Sequence, residues 1–254
     1  MNKSIFPILV CPRFLLRLFH HSIHLSFLCS TEQVLIYFPK LKGLTVRSSD
    51  PMVWPMPIET EIKLALDVAM LPKLLKALPK PALVKELRNE YFDTHDRSLG
   101  KRREMLRLRF SNLNEGVVLC FKGPSQKDGA VFQASEHEWQ LTVDEATSFV
   151  ETPLSQQDEL VSLIDLKNIK ALKRIGVMSV RRVCVDLGTG FMIEIDHVSY
   201  PDGFEDAEIE LEVPPEKLRE ARALLNHTIQ AAGVEVEDQE QTKYARFLAH
   251  GGAP

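Results

Sequence analysis

Residues 58–66 read Ile58-Glu59-Thr60-Glu61-Ile62-Lys63-Leu64-Ala65-Leu66, and their alternation decides the fold. A period of two places Glu59, Glu61 and Lys63 on one face of a strand and Ile58, Ile62, Leu64 and Leu66 on the other. Alone, such a strand reads as a sheet with one solvated face. The pattern recurs, however. Met105–Phe110 sends Arg107 and Arg109 one way and Leu106, Leu108 and Phe110 the other, and Val117–Lys122 sets Lys122 against Val117, Leu119 and Phe121. Glu136–Leu141 offers Glu136 and Glu138, and a strand through Arg181 and Arg182 runs to Asp186. Phe191–His197 sets Glu194 and Asp196 against Ile193 and Ile195, and Glu208–Val213 sets Glu208, Glu210 and Glu212 against Ile209, Leu211 and Val213.

The charges are grouped by sign. Strands near the two ends of the series carry paired carboxylates, and those between carry cations. Carboxylates at i, i+2 converge on one side of a strand and can share a hard divalent cation through oxygen ligands. Guanidinium pairs at the same spacing present donor forks suited to phosphate oxygens. A sheet curled with these faces inward would enclose a polar lumen lined by both signs, its apolar outer face covered by helices. Such a lumen binds a polyanion and its metal together.

Helices for that cover are legible. Asp67–Leu78 carries Val68, Leu71, Leu74, Leu75 and Leu78 at helical spacing, with Pro72 in its first turn. Thr142 and Glu145 form a capping-box signature that opens a short helix to about Val150. The longest helix runs from Pro215 to a stop at Gly233, another spans Gln241–Ala249, and Ser155–Leu172 has an Ile/Leu rhythm that predicts one or two more. Strands and helices mix without βαβ alternation, which predicts an antiparallel α+β domain.

The composition fits a globular enzyme-sized chain: 254 residues, 44% hydrophobic, net charge −4. This balance argues against bulk nucleic-acid binding, and no apolar run is long enough for a membrane span. Cys11, Cys29, Cys120 and Cys184 are too scattered for a disulfide framework or a zinc site, so a reducing, cytoplasmic setting is expected. The first fifty residues hold six basic and two acidic side chains, leaving 51–254 with a net charge of −8. Residues 1–55 therefore read as a poorly ordered extension, either an upstream start or an organelle-targeting leader, and 56–250 as the functional domain.

The ordered set Glu59-x-Glu61-x-Lys63, Tyr91-Phe92-Asp93-Thr94, Leu106-Arg107-Leu108-Arg109, Phe121-Lys122-Gly123, Glu136-x-Glu138, Val180-Arg181, Glu194-x-Asp196, Tyr200-Pro201-Asp202-Gly203, Glu208-x-Glu210 and Thr242-Lys243-Tyr244 resembles the CYTH superfamily, the triphosphate tunnel metalloenzymes. The resemblance implies an eight-stranded antiparallel β-barrel, a tunnel with helices packed outside, that acts on triphosphates with Mg²⁺ or Mn²⁺. It implies Glu59, Glu61, Glu208 and Glu210 as metal ligands. Lys63, Arg107, Arg109, Lys122, Arg181 and Lys243 would hold phosphate oxygens, with Glu59, Glu61 and Lys63 at the chemistry. Glu136, Glu138, Glu194 and Asp196 would be further lumen carboxylates. Of the adjacent pair Arg181 and Arg182 only one can face inward, and strand parity selects Arg181.

Small members of this superfamily are often inorganic triphosphatases, so the expected activity is hydrolysis of tripolyphosphate to pyrophosphate and phosphate. Cyclisation of ATP, as in class IV adenylate cyclases, and hydrolysis of thiamine triphosphate are the alternatives, and a non-catalytic polyphosphate-binding module is the competing class. The Asp93 and Thr94 side chains read equally as a strand-end turn. Cys120 and Cys184 read as small buried side chains, and Glu212 as a solvated strand end before Pro214-Pro215.

Overall fold

The computed structural model describes residues 58–113, 116–151, 172–188 and 190–251. The expected helical rhythm from Ser155 lies outside them, except that Leu172 opens a strand. Ten strands run in chain order: β1 (Ile58–Leu66), β2 (Leu83–Thr94), β3 (Met105–Ser111), β4 (Val117–Lys122), β5 (Gln126–Asp128), β6 (Val131–Leu141), β7 (Leu172–Asp186), β8 (Met192–Ser199), β9 (Glu205–Glu212) and β10 (Val236–Asp238). Among the described residues five α-helices accompany them: α1 (Leu71–Ala77), α2 (Ser98–Lys101), α3 (Val143–Glu151), α4 (Leu218–Ala232) and α5 (Lys243–Ala249).

The sheet order is β10-β1-β9-β8-β7-β2-β3-β4-β6-β5, and an additional β1–β6 pairing closes it. Eight antiparallel strands thus form a barrel, and β5 and β10 extend it as short added strands. Closure is made by the first half of β1, from Ile58 opposite Ser135 to Ile62 opposite Val131, while its second half pairs with β10. A closed sheet has no free edge, and every strand then has an inside and an outside.

Three cores hold the barrel. Ile62, Leu64 and Leu66 of β1 and Ile193, Ile195, Ile209 and Leu211 of β8 and β9 are covered by Leu74 of α1 and by Ala221, Leu225 and Ile229 of α4. Leu106, Leu108, Leu119 and Phe121 pack with Leu99 of α2 and Ala146 and Phe149 of α3. At about 1.5–3 kcal/mol for each large apolar side chain removed from water, these outer layers supply most of the driving force. The third core lies within the barrel: Leu87, Tyr91, Met105, Met178, Val180 and Val198 surround Phe247 of α5, which is fully buried. One end of the lumen is therefore plugged by the C-terminal helix.

The helix limits shift slightly from the sequence reading. Asp67 caps a 3₁₀ turn, Val68–Met70, before α1, its carboxylate accepting from the Ala69 amide. The Thr142–Glu145 capping box forms as expected, and α4 ends at Gly233, whose φ of 63° is a left-handed cap that glycine adopts without a Cβ penalty. Among the described residues no helix is long and apolar enough to cross a membrane.

Candidate active site

Strand pleat and register decide what faces inward. On β1 this is Glu59, Glu61 and Lys63, and on β6 Glu136 and Glu138, all lining a cavity of about 800 Å³. Arg107 and Arg109 on β3 and Lys122 on β4 line it as expected. So do Glu194 and Glu210, with Lys243 entering from α5. Asp196 and Glu208 sit deeper, both fully buried. Together these account for the sequence-derived set apart from Arg181.

Arg181 requires a correction. Its side chain is half exposed on the barrel exterior, where its Nε lies 3.3 Å from Glu86 Oε1. Arg182 is the inward residue, donating from Nε and Nη2 to Asp196 at 2.8 and 2.7 Å and from Nη2 to Glu210 at 2.6 Å. The parity argument failed because both faces of β7 carry apolar neighbours: Met178 and Val180 point into the plug, while Val183 and Val185 join the outer core.

The register also redistributes the carboxylates. Glu61 stands opposite Glu212, and Lys63 opposite Glu210, whereas Glu208 stands opposite Ala65. Glu212 is exposed but lines the cavity beside Glu61, so it belongs to the site rather than to solvent alone. Two carboxylate groups result.

The outer group is Glu59, Glu61, Glu136 and Glu212. Lys122 forms ion pairs with Glu59, with Glu136 at 3.1 Å and with Glu61 at 3.6 Å, and Lys63 contributes a contact to Glu61 at 2.9 Å. Cations remain too few. Burial and the neighbouring Glu136 hold the Glu59 carboxyl above the usual range despite Lys122. Burial and then Glu59, Glu136 and Glu61 raise Glu212 as well. Glu136 takes the ionised role: the burial that would raise it is outweighed by hydrogen bonding with Glu59 and by the charges of Lys122 and Arg107, which bring it down to about 2.

The inner group is Asp196, Glu208 and Glu210, and it is densely compensated. Lys63 pairs with Glu210, Arg182 with Asp196 and Glu210, Lys243 with all three, and Arg246 with Glu208 at 2.7 Å. Arg246 also donates to Tyr200 Oη at 2.9 Å and to the Gln241 carbonyl at 2.8 Å, which anchors α5.

Facing these carboxylates is a guanidinium wall. Arg107 is buried, its Nη2 only within 3.9 Å of Glu136 and Glu138 and its Nε without a hydrogen-bond partner. Arg109 donates to Asn89 Oδ1 at 3.2 Å, and burial followed by the charges of Arg107 and Arg182 pushes it below the usual arginine range. Cations crowded in this way favour an incoming anion. Asn89, Tyr91 and Lys85 of β2 complete this side. Cys120 donates its thiol to Glu136 at 2.8 Å, and burial pushes that thiol up to about 12, which makes it a structural donor and not a nucleophile. Asp93 accepts from the amides of Thr94, Leu99 and Gly100, confirming the turn reading.

The lumen of this closed antiparallel barrel sets carboxylates against guanidinium groups. The chain belongs to the CYTH family, the CYTH domain matching residues 57–244. Among solved structures it is similar to a candidate adenylyl cyclase from Hippeastrum with a dominant triphosphatase activity, at 24% identity and a TM-score of 0.68 over 75% of this chain and 95% of that one. It is also similar to a candidate adenylate cyclase from Bacillus halodurans, at 25% identity and a TM-score of 0.58 over 76% of this chain and 99% of that one. No curated protein matches the chain.

Proposed function

We propose that this protein is a divalent-metal-dependent hydrolase of triphosphates, with inorganic tripolyphosphate as its substrate and pyrophosphate and phosphate as its products. One observation carries the reading: across a single cavity, Glu59, Glu61, Glu136 and Glu212 face Arg107, whose Nε has no hydrogen-bond partner, and Arg109, which is crowded by Arg107 and Arg182. A polyphosphate together with magnesium or manganese would satisfy both walls at once. Glu59, Glu61, Glu136 and Glu212 fit the cation, because the raised Glu59 and Glu212 carboxyls report surplus negative charge that a divalent ion relieves. Bound there, the ion would supply Lewis acidity at the phosphoryl group under attack.

The protein's own groups do the rest. Arg107 and Arg109 bind non-bridging oxygens and stabilise charge as it spreads over them. Lys122, tied to Glu59 and Glu136, would be available to phosphate with a cation held beside these carboxylates. Lys63 and Arg182 fix Glu210 and keep it ionised. The plug around Phe247 shuts one end of the lumen, which limits water around the chain of phosphates. Residues 56–250 form the working domain in this reading, behind an extension of residues 1–55, and the setting is cytoplasmic.

The test is phosphate release by the purified protein from tripolyphosphate, ATP and thiamine triphosphate in parallel, with Mg²⁺, Mn²⁺ and chelator. Metal-dependent release with tripolyphosphate preferred supports the reading. Pyrophosphate and cyclic AMP from ATP, without phosphate, would replace it with a cyclase, and no product from any substrate would leave a binding module.

A further inference from the structure

Among the described residues two other than glycine take left-handed backbone, Arg97 with φ 63° and Arg103 with φ 61°, and they bracket the short helix α2. That conformation is strained for a long side chain and needs a reason in each case. Arg97 finds one inside the protein, its Nη1 lying 3.9 Å from the carboxylate of the fully buried Asp93. Arg103 has no such anchor. It stands just past the C-cap of α2, where its amide donates to the Gly100 carbonyl and the Glu104 amide to that of Leu99, both at 3.0 Å. This double closure of a helix end is the one that favours glycine, and the chain places an arginine there instead.

The side chain supplies the reason. Of the run Lys101-Arg102-Arg103 it is Arg103 that lines the cavity, whereas Arg102 turns back to Glu104 at 2.8 Å. Arg103 Nη2 donates to the Ser125 carbonyl at 3.3 Å, and the guanidinium has no carboxylate partner among the described residues. Lys127, the other cation of this rim, is already paired with Glu240 at 2.6 Å. Register sets the level at which Arg103 stands. Arg107 is opposite Cys120 and Met105 is opposite Lys122, and Arg103, two residues further back, reaches Ser125 beyond Lys122. Each two-residue step along a strand covers about 7 Å. The lumen cations thus form a track from Arg107 past Lys122 to Arg103, ending at the α2 rim.

We propose that Arg103 binds the terminal phosphate of a triphosphate whose other phosphates lie along Arg107, Arg109 and Lys122, and that this contact separates the substrate from the shorter pyrophosphate. The inference rests on the phosphate-binding reading of Arg107 and Arg109. A guanidinium without a carboxylate partner is a donor fork for a free phosphate end, which carries more negative charge than a phosphate within the chain. Pyrophosphate held at Arg107 and Arg109 stops short of the rim. Arg103 therefore favours substrate over product and leaves the product easier to release. The strained backbone is the counterpart of this gain, stability given up at α2 for a cation aimed into the cavity.

Calorimetric titration of the full chain with tripolyphosphate and with pyrophosphate tests this, in Ca²⁺ rather than Mg²⁺ to slow turnover, on the wild type, Arg103→Gly and Arg103→Lys. The wild type should bind tripolyphosphate the more tightly. Arg103→Gly should lose about tenfold in tripolyphosphate affinity, the low end for a charge-assisted hydrogen bond because the rim is exposed, while pyrophosphate affinity stays within about twofold. Its Tm should equal or exceed that of the wild type, since glycine relieves the left-handed strain. Arg103→Lys keeps the charge without the fork and should fall between the two in tripolyphosphate affinity. Equal losses for both anions, no loss for either, a wild type without preference, or a clearly lowered Tm in Arg103→Gly would overturn the inference. The triphosphate reading survives those results as long as the wild type binds tripolyphosphate, whereas a wild type that binds neither anion brings down both.

Discussion

Replacing Arg182 by methionine, with Arg181→Met as its neighbour control, probes the inner wall of the barrel. Arg182 is 7% exposed and forks onto Asp196 through two hydrogen bonds while reaching Glu210 and Glu194. Its loss leaves the fully buried Asp196 with Lys243 as its remaining ion-pair partner among the described residues. Breaking a buried pair in this way costs about 3–5 kcal/mol, because a buried carboxylate loses its bidentate counter-charge. Arg181, its side chain 52% exposed against a 58% exposed Glu86, sits in a solvent-screened pair worth roughly 0–1 kcal/mol. For a domain of this size about 2–4 °C of Tm accompanies each kcal/mol. Arg182→Met should therefore melt roughly 6–20 °C lower and Arg181→Met within about 4 °C of wild type, read by circular dichroism and checked by urea unfolding. Equal shifts, or a larger one for Arg181, would refute the inward assignment of Arg182 and the strand register beneath it.

Other expectations follow from the same geometry. Glu61→Gln removes a cation ligand that is not part of any apolar core, so metal-dependent turnover should fall at least ~100-fold, several kcal/mol of lost stabilisation, while Tm barely moves; steady-state rates across a Mg²⁺ titration show this. Arg107→Ala should weaken triphosphate binding by about 1.5–3 kcal/mol, roughly 10- to 150-fold in KM, as expected for a lost charge-assisted hydrogen bond. Protons and metal compete for Glu59 and Glu212, whose carboxyls lie above the usual range. Mn²⁺ affinity should accordingly decline on acidification at a higher pH than ordinary glutamates would give, and Glu212→Gln should move that decline to lower pH; isothermal titration at several pH values measures the shift.

Much of this architecture was legible because β1, β3, β8 and β9 each pack an aliphatic face on the outer cores and turn a charged face inward. β2 was not, apart from its Tyr91–Thr94 end. Its outer face carries Glu86, Arg88 and Glu90 in ion pairs with Arg181 and Arg174 and with one another, while Leu87 and Tyr91 point into the plug, so alternation is inverted and blurred. β5 and β10 span three residues each, too short for any period to show. Within the site, single-strand spacing identified the inward carboxylates but could not align one strand with another. Glu212 opposite Glu61, rather than Glu208, is a fact of pairing between distant segments. The plug and the Lys243 contacts likewise depend on where a terminal helix docks, which no local pattern encodes.

The proposed function has one lumen hold metal on its carboxylate wall and phosphates on its guanidinium wall. Phosphorus NMR of tripolyphosphate with the purified protein and Mg²⁺ is the decisive measurement. Conversion to pyrophosphate and phosphate, arrested by chelator and by Glu61→Gln, is the expected result; turnover that persists under both would refute that arrangement.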